Sequence, residues 1–270
     1  MKPFVKWAGG KGQIIGELLA RAPEKYNRYF EPFVGAGALF FALNPGRAVL
    51  NDKNEELMNA YSVVRTNVSD LAASLATHAS LHGRHGRDHY YRVRGIDPHT
   101  LSSVERASRF IYLNRTCYNG LWRVNSSGRF NVPLGRYKNP KILDEENLRA
   151  VSDRLQNTTI LCVDFEAAVA EAAPGDFVYF DPPYHPLSET SRFTGYVDEG
   201  FGPESQVRLA GVFGTLADRG ASVMLSNSDT AFVRGLYDGF RIDVVQAKRP
   251  INCRADGRGV VNELIVRNYS

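Results

Sequence analysis

The sequence predicts an α/β fold, a doubly wound sheet with helices on both faces, interrupted by a basic insertion. Before residue 62 and after residue 143, short apolar runs typical of buried strands alternate with segments of helical apolar spacing. Between those points the alternation stops, and residues 62–143 hold 13 Lys and Arg against 4 Asp and Glu, a surplus of +9. We therefore divide the chain into a sheet-forming domain, 1–61 with 144–270, and an inserted domain, 62–143.

The elements of the sheet-forming domain follow from apolar periodicity and from the residues that end each run. Ile14, Leu18 and Leu19 recur at helical spacing and predict a helix over 13–21. A strand over 28–34 ends in a glycine turn that opens a second helix. Further strands are predicted at 48–51, 159–163, 177–180 and 221–225 and near 241–247 and 263–267, and further helices at 55–65, 144–156, 166–173 and 203–219.

The inserted domain is predicted to be mainly helical and to carry a β-hairpin. A helix is expected over 101–115, a His/Arg/Gly-rich loop over 81–88, and the hairpin tip around 125–128. Five of the six histidines also lie in this domain. Such charge asymmetry is expected of a polyanion-binding region, and on charge alone a solvated basic face is the alternative.

The composition is that of a globular protein from a reducing compartment. With 270 residues, 43% of them hydrophobic, the chain can bury a large core. Cys117, Cys162 and Cys253 form no CxxC pair, so we expect neither a disulfide framework nor a zinc ribbon. We interpret Cys162 and Cys253 as interior residues and Cys117 as a packing residue beneath the hairpin. No apolar run suits a signal peptide or a membrane span, which predicts a cytoplasmic protein.

The first candidate site is the turn at the end of strand 28–34. An apolar strand that runs into Gly35-Ala36-Gly37 and then a helix brings backbone close to a nucleotide-like ligand in doubly wound folds. Asp52, at the end of the next strand, could accept hydrogen bonds from ribose hydroxyls. A dinucleotide-binding fingerprint is disfavoured because Phe40 stands where its third glycine would be.

The second candidate site is Asp181-Pro182-Pro183-Tyr184, which follows the apolar strand 177–180. Prolines cannot continue a strand ladder, so they make the chain rigid and leave its carbonyls without ladder partners. An Asp side chain, a backbone carbonyl and an aromatic face are thereby placed at the carboxyl end of a strand, where such folds bind ligands. Two acceptors and a stacking surface suit an exocyclic amine on a flat heterocycle; a Pro-Pro turn capped by Asp is the alternative.

A third segment, 6–11, places two lysines and a tryptophan around a glycine pair. The segments Lys-Trp-Ala-Gly-Gly-Lys, Glu-Pro-Phe-Val-Gly-Ala-Gly and Asp-Pro-Pro-Tyr, in this order, resemble the Dam family of DNA adenine-N6 methyltransferases. The resemblance extends through 113–125 and 130–137 of the insertion and reaches 249–252 and 261–264. It therefore covers nearly the whole chain.

The resemblance implies a Rossmann-like methyltransferase sheet and S-adenosyl-L-methionine as the methyl donor. Asp52 would hold the ribose of this donor, and Asp164 with Phe165 would hold its adenine. The positions that match the family's cofactor site are Trp7, Lys11, Phe33, Gly35, Gly37, Asp52, Asp164, Phe165 and Asp181.

The resemblance also implies the chemistry at the second candidate site. The N6 nitrogen of a stacked, paired adenine is occupied, so the base must be flipped out of the duplex. The side chain of Asp181 and the carbonyl of Pro182 would then accept the two N6 hydrogens, beside the rigid Pro183, while Tyr184 would stack on the base. We expect no metal and no covalent intermediate.

The resemblance assigns residues of the insertion, together with Lys6 outside it, to DNA, with GATC as the expected target. Lys6 and Arg123 are candidates for reading guanine, because long cationic side chains suit its O6 and N7 atoms. Leu121 and Pro133 could touch a thymine methyl group.

Four other residues of the insertion are assigned to the DNA without a role in reading guanine or thymine. Tyr118 and Asn119 match family positions beside the flipped adenine, whereas Arg136 and Tyr137 are expected to contact the DNA backbone. A solvated hairpin is the alternative for these positions.

Two other functions are alternatives to DNA adenine methylation. A related enzyme could methylate an RNA base or a protein amide, and a DNA-binding homologue could have lost catalysis. Asp181 and the basic insertion favour DNA adenine over the first, and the intact Asp-Pro-Pro-Tyr segment favours an enzyme over the second. We expect a monomer or weak dimer, which either accompanies a restriction endonuclease or acts alone in epigenetic marking.

Overall fold

The computed structural model describes residues 1–186, 201–248 and 260–270. Its strands are β1 Tyr29–Glu31, β2 Ala48–Asn51, β3 Thr158–Leu161, β4 Phe177–Phe180, β5 Ser222–Ser228, β6 Arg241–Lys248 and β7 Val260–Arg267. Its helices are α1 Ile15–Leu19, α2 Ala38–Leu43, α3 Glu55–Thr66, α4 Val68–Gly95, α5 Ser103–Thr116, α6 Glu145–Leu155, α7 Phe165–Ala168, α8 Pro203–Asp218 and α9 Ala231–Leu236. The predicted motif at 249–252 and Cys253 lie outside the described residues.

The strands form one mixed sheet in the order β3-β2-β1-β4-β5-β7-β6. The pairs β1–β2, β1–β4 and β4–β5 are parallel, whereas β7 is antiparallel to both β5 and β6. The chain builds outward from β1 in one direction and then, from β4, in the other. This reversal places helices on both faces and creates a switch point between β1 and β4, where doubly wound sheets bind ligands. The predicted α/β fold is confirmed.

The chain divides into two compact units. The first unit comprises Met1–Gly10, Gly35–Asn44 and Asp52–Cys162. The second unit comprises Lys11–Val34, Pro45–Asn51 and Val163–Ser270. The boundaries of these units differ from those of the predicted domains, 1–61 with 144–270 and 62–143. The assignment of 62–143 to DNA recognition stays a prediction.

The core of the second unit is built around β4 and α8. All four residues of β4 are buried, as expected for a central parallel strand covered on both faces. Leu209, Phe213 and Leu216 recur at helical spacing along α8 and are buried in the same apolar cluster as Val178 and Phe180 of β4. Burial of each such side chain stabilises the fold by roughly 1.5–3 kcal/mol.

Local capping explains where the long helices of the first unit begin. The Asn54 side chain accepts a hydrogen bond from the Leu57 N–H at 3.0 Å at the start of α3. Ser102 and Glu105 form a reciprocal capping box at the start of α5. The helix predicted at 101–115 is thus confirmed, with its first turn fixed by these side chains.

The prediction of a loop over 81–88 is wrong, because these residues belong to α4. The ring of His78 stacks on Tyr112 of α5 at 4.7 Å, and its Nδ1 lies 3.0 Å from Nε2 of the buried His89. Burial lowers the pKa of both histidines to about 4, so both are neutral at neutral pH. This packing overrides the low helix propensity of the local glycines, although Gly86 interrupts the helix with φ 34° and ψ −101°.

The structure tests two predictions about the cysteines. Cys117 is buried and forms a β-bridge with Leu134, so its predicted packing role is confirmed. The prediction that Cys162 is interior is wrong, because the side chain is exposed. The predicted strand 159–163 would include Cys162, but β3 ends at Leu161, so Cys162 lies outside the sheet. In the described part of the chain, no helix is long and apolar enough to cross a membrane.

Candidate functional site

The carboxylate that ends β4 lies in a buried polar cluster of the second unit. The Lys11 ammonium is 2.7 Å from Oδ1 of Asp181, and their side chains are 8% and 18% exposed. The Ser226 hydroxyl donates to the same oxygen at 3.0 Å. Burial raises the pKa of Asp181 above its ordinary value, and the Lys11 charge and these hydrogen bonds counteract that rise. Asp181 is therefore a fixed acceptor aligned by two donors.

The two prolines that follow present their carbonyls differently. The Pro183 carbonyl accepts a hydrogen bond from Nε2 of the buried Gln206 at 2.8 Å, and Gln206 is itself held by the Asn227 amide at 3.0 Å. Among the described residues, no donor is bonded to the Pro182 carbonyl. The loop thus places the Asp181 carboxylate next to a Pro182 carbonyl that has no donor within the described residues.

Tyr184 is held at both its ring and its hydroxyl. Its hydroxyl donates to Oε2 of Glu263 at 2.8 Å, and the Lys11 ammonium lies 4.5 Å from the ring centroid. Burial raises the pKa of Tyr184 well above its ordinary value, with Asp181 and Glu263 adding to the effect. The phenol therefore stays a hydrogen-bond donor at any working pH.

The polar residues that end β5 also hold this loop, although no sequence motif points to them. Besides Ser226, Asn227 accepts from the His185 N–H at 3.2 Å, and Ser228 donates to the His185 carbonyl at 2.6 Å. These bonds hold the far side of the loop after β4. The signal in the sequence is the run Ser226-Asn227-Ser228 directly after buried apolar residues. β5 continues through this run, beyond the predicted strand 221–225.

A second group of predicted residues comes together beside β1 in the second unit. The ring centroids of Phe33 and Phe165 are 5.5 Å apart, and Phe201 lies 5.5 Å from Phe33. Arg208 binds Oδ2 of Asp164 at 2.7 Å and places its guanidinium 4.3 Å from the Phe165 ring centroid. Phe33, Asp164 and Phe165 therefore form an aromatic surface with an acid at its side, which suits a purine.

The first unit contains the glycine turn. Gly35 and Gly37 both have positive φ, 48° and 71°, which glycine adopts without strain. A Cβ on Gly35 would lie 2.6 Å from Cδ1 of Trp7, and one on Gly37 would lie 2.8 Å from the Tyr61 hydroxyl. The Gly35 N–H donates to Oδ2 of Asp52 at 3.1 Å. Trp7, Gly35, Gly37 and Asp52 are thus brought together as predicted, and only glycine fits at either turn position.

The candidate guanine reader Lys6 is fixed within the first unit. Asn114 accepts from the Lys6 N–H at 2.8 Å and donates to the Lys6 carbonyl at 2.7 Å and to the Gly120 carbonyl at 3.1 Å. The Lys6 ammonium lies 4.2 Å from the ring centroid of Tyr137. Asn114 thereby ties Lys6 to Gly120, which lies next to the predicted hairpin, and no motif in the sequence points to this role.

The hairpin itself is present as predicted. Bridges Val124–Phe130 and Cys117–Leu134 close it, and Arg123 Nε donates to Oδ1 of Asn131 at 2.7 Å. The predicted DNA contacts on it that are exposed to solvent are Tyr118, Asn119, Arg123, Pro133, Arg136 and Tyr137, while Leu121 is half-buried.

The cations of the insertion have few carboxylate partners. Of the 13 Lys and Arg in 62–143, two form ion pairs within the described residues, Arg106 with Glu56 and Lys141 with Asp144. Within the described residues, most of these cations therefore have no carboxylate partner at ion-pair distance. In the same described ranges, no group of three or more His, Cys, Asp or Glu is arranged to hold a metal ion.

Comparison with known proteins identifies the family. Residues 7–251 match the family model of the D12 class N6 adenine-specific DNA methyltransferases. The Type II methyltransferase M1.LlaDCHI of Lactococcus lactis subsp. cremoris is 47% identical, over 100% of this chain and 96% of the relative. M.MjaIII of Methanocaldococcus jannaschii, another Type II methyltransferase, is 45% identical, over 100% and 99%. The DNA adenine methylase of Escherichia coli K12 is 35% identical, over 98% and 94%.

The family model covers most of the chain, and these relatives match it over nearly their full lengths. The resemblance inferred from the motifs is therefore confirmed. This chain belongs to the D12 class of N6 adenine-specific DNA methyltransferases and is an adenine-specific DNA methyltransferase.

Proposed function

We propose that this chain transfers a methyl group from S-adenosylmethionine to N6 of an adenine flipped out of duplex DNA, within the sequence GATC. The observation that carries the proposal is the pair of acceptors after β4, the Asp181 carboxylate and the Pro182 carbonyl, next to the Tyr184 ring. The two N–H bonds of the adenine N6 amine point in directions in which two such acceptors can bind them. Tyr184 offers a stacking face worth ~1–3 kcal/mol.

Within each unit taken by itself, the residues that the resemblance assigns to the cofactor have the chemistry that one part of S-adenosylmethionine needs. Phe33 and Phe165 offer aromatic faces with Asp164 at their side, as an adenine with an exocyclic amine requires. The Gly35 turn leaves its backbone without a Cβ, and Asp52 supplies a carboxylate for ribose hydroxyls. When bound, this donor supplies a methyl group already activated by its sulfonium. The chain's own work is therefore orientation and electrostatics rather than activation.

We assign a role to each residue of the loop after β4. Asp181 and Pro182 accept the two N6 hydrogens, which favours a pyramidal nitrogen with its lone pair directed toward the methyl group. The negative charge of Asp181 also stabilises the positive charge that develops on N6 during transfer. Pro183 fixes the loop, since its carbonyl is bonded to Gln206.

Residues 62–143 are proposed to form the DNA target-recognition domain, and 1–61 with 144–270 the catalytic domain. The support is the largely unpaired positive charge of the insertion and its exposed hairpin side chains. Tyr118 and Asn119 would contact bases beside the flipped adenine, and Leu121 with Pro133 a thymine methyl group. Lys6 would read guanine. Tyr137, whose ring lies against the Lys6 ammonium, would contact the DNA backbone and hold the Lys6 side chain in place.

Arg123 and Arg136 test this division between base reading and backbone contact. Arg123→Ala is expected to lower methylation of GATC duplexes relative to single-mismatch duplexes, because a guanidinium pair to guanine is worth ~1–3 kcal/mol of discrimination. Arg136→Ala, the matched control, should weaken all sites equally and lower the slope of log affinity against log salt by about 1. The measurement is the ratio of the two methylation rates at fixed salt. An unchanged ratio for Arg123→Ala would remove the hairpin as the reader.

Arg208 tests the adenine end of the donor site. Its guanidinium is bonded to Asp164 and lies over the Phe165 ring. Arg208→Ala should therefore leave both side chains less fixed and weaken binding of S-adenosylhomocysteine about five-fold. This is the size expected for an exposed ion pair with a cation–π contact. Arg234→Ala, which breaks a comparable ion pair with Asp229, is the control and should change nothing. Titration calorimetry measures both. Equal affinities for the two variants would contradict the assignment of Asp164 and Phe165.

A restriction endonuclease is the functional partner we propose for this enzyme, and the cytoplasm, where genomic DNA is accessible, is its proposed location. The support is that the two relatives of higher identity are named Type II methyltransferases. The enzyme is proposed to act as a monomer or weak dimer. Duplex DNA treated with protein and donor should resist a nuclease that cuts only unmethylated GATC. Continued cutting after full incubation would refute the proposed target.

A further inference from the structure

Glu263 lies at a rigid point of the second unit. It belongs to β7, which is paired on both edges, and it stands opposite Ser228 of β5 and Val245 of β6. A strand with ladder hydrogen bonds on both sides has little freedom to shift. The carboxylate of Glu263 thus provides a fixed reference for whatever it binds.

The group that it binds, the hydroxyl of Tyr184, belongs to a residue outside any strand. Tyr184 follows two prolines in the loop after β4, and its ring can swing about its own side-chain bonds. The Lys11 ammonium, 4.5 Å from the ring centroid, and the Glu263 carboxylate, 2.8 Å from the hydroxyl, restrict that swing, and the Ser226 hydroxyl is a further hydrogen-bond partner. Lys11 touches the face of the ring, whereas Glu263 holds the atom farthest from the backbone and so controls the angle of the ring most strongly.

We propose that Glu263 is a positioning residue for base stacking: by accepting a hydrogen bond from the Tyr184 hydroxyl, it sets the ring at the angle at which the flipped adenine stacks. The inference rests on the proposed function, because it takes the flipped adenine as the ligand of Tyr184. Glu263 itself does not touch the reacting atoms. Its removal should therefore slow methyl transfer in the assembled complex without weakening the binding of donor or duplex.

Two substitutions of Glu263 separate positioning from charge. Glu263→Ala removes both the negative charge near Asp181 and the hydrogen-bond acceptor, whereas Glu263→Gln removes the charge but keeps an acceptor oxygen of the same reach. Glu263→Ala is expected to lower kcat about ten-fold, which corresponds to about 1.4 kcal/mol of barrier, with KM for DNA unchanged. Glu263→Gln should stay within about two-fold of the wild type, since the neutral hydrogen bond is retained.

Tyr184→Phe removes the other half of the same hydrogen bond and keeps the stacking ring. It should lower kcat by the same factor as Glu263→Ala, and the double variant should be no slower than either single one. Gln246→Ala, an exposed change on the neighbouring strand β6, is the control for disturbance of the sheet. For all variants, kcat and KM are measured under steady-state turnover and the transfer rate under single-turnover conditions, well below their melting temperatures. Binding of S-adenosylhomocysteine and of duplex is measured in parallel.

Three results would overturn the proposal. If Glu263→Gln is as slow as Glu263→Ala, the charge beside Asp181 matters and not the bond to Tyr184. If the losses in the double variant add up, the two residues act separately. If Tyr184→Phe keeps the wild-type kcat, the hydroxyl has no positioning role, and this arm decides the question even where Glu263→Ala does not fold. A wild-type protein that methylates no adenine would instead refute the proposed function itself.

Discussion

Asp181→Ala is expected to reduce the rate of methyl transfer about 1,000-fold, which corresponds to about 4 kcal/mol of barrier. The substitution removes an acceptor proposed for N6 and the negative charge that would stabilise the developing cation. It also leaves the Lys11 ammonium without its partner at 2.7 Å. Duplex affinity should change little, because the unpaired cations of the insertion supply the proposed phosphate contacts. The measurement is the single-turnover methylation rate together with the dissociation constant for a GATC duplex.

Asp181→Asn is the matched control for this experiment. The amide has nearly the same shape and retains an acceptor oxygen, but it carries no charge. A rate between those of the wild type and Asp181→Ala would separate the hydrogen-bond contribution from the charge contribution. A rate for Asp181→Ala above a tenth of the wild-type rate would show that Asp181 does not have the assigned role.

Lys11→Met is expected to reduce methylation about 100-fold at neutral pH and to move the pH profile upward, because a buried carboxylate left without its cation is strongly destabilised. Burial already raises the pKa of Asp181, and Lys11 is the largest of the influences that lower it. Without Lys11 the pKa of Asp181 rises further. Since the ionised carboxylate is the acceptor, activity should be lost as the pH falls through this higher pKa and should recover as the pH rises above it.

Lys11→Arg keeps the positive charge and serves as the control for the pH experiment. Rates measured between about pH 6 and about pH 9 should show a steeper loss toward low pH for Lys11→Met than for Lys11→Arg or the wild type. A profile for Lys11→Met that runs parallel to the wild type would mean that Lys11 does not hold Asp181 in its charged state.

The elements that the sequence predicted best are short buried strands with a clear end. The predicted bounds of β2 and β4 agree with the structure, because each apolar run is followed by a residue that ends it, Asp52 or Pro182. The glycine turn was also predictable, since an L side chain at Gly35 or Gly37 would clash. These are local signals, and they are enough to predict that Asp181 and Pro182 lie at the carboxyl end of β4.

The elements that the sequence predicted poorly depend on contacts between distant residues. The helix through 81–88 is stabilised by histidine rings packed against Tyr112, which no local propensity reveals. The hydrogen bond between Glu263 and Tyr184 results from the register of β7, and the ion pair between Lys11 and Asp181 joins residues that are far apart in the sequence. Family resemblance assigned Lys11 to the cofactor, whereas the structure shows its direct contact with the proposed catalytic carboxylate.

The measurement that tests the central claim most directly is the chemical fate of a labelled methyl group. The wild-type protein is incubated with S-adenosylmethionine labelled in its methyl group and a short duplex that contains one GATC site, and the DNA is then digested to nucleosides. We predict that the label appears as N6-methyldeoxyadenosine, that it is confined to the adenine of GATC, and that Asp181→Ala abolishes it. Label on cytosine, label spread equally over other adenines, or an undiminished yield from Asp181→Ala would contradict the account.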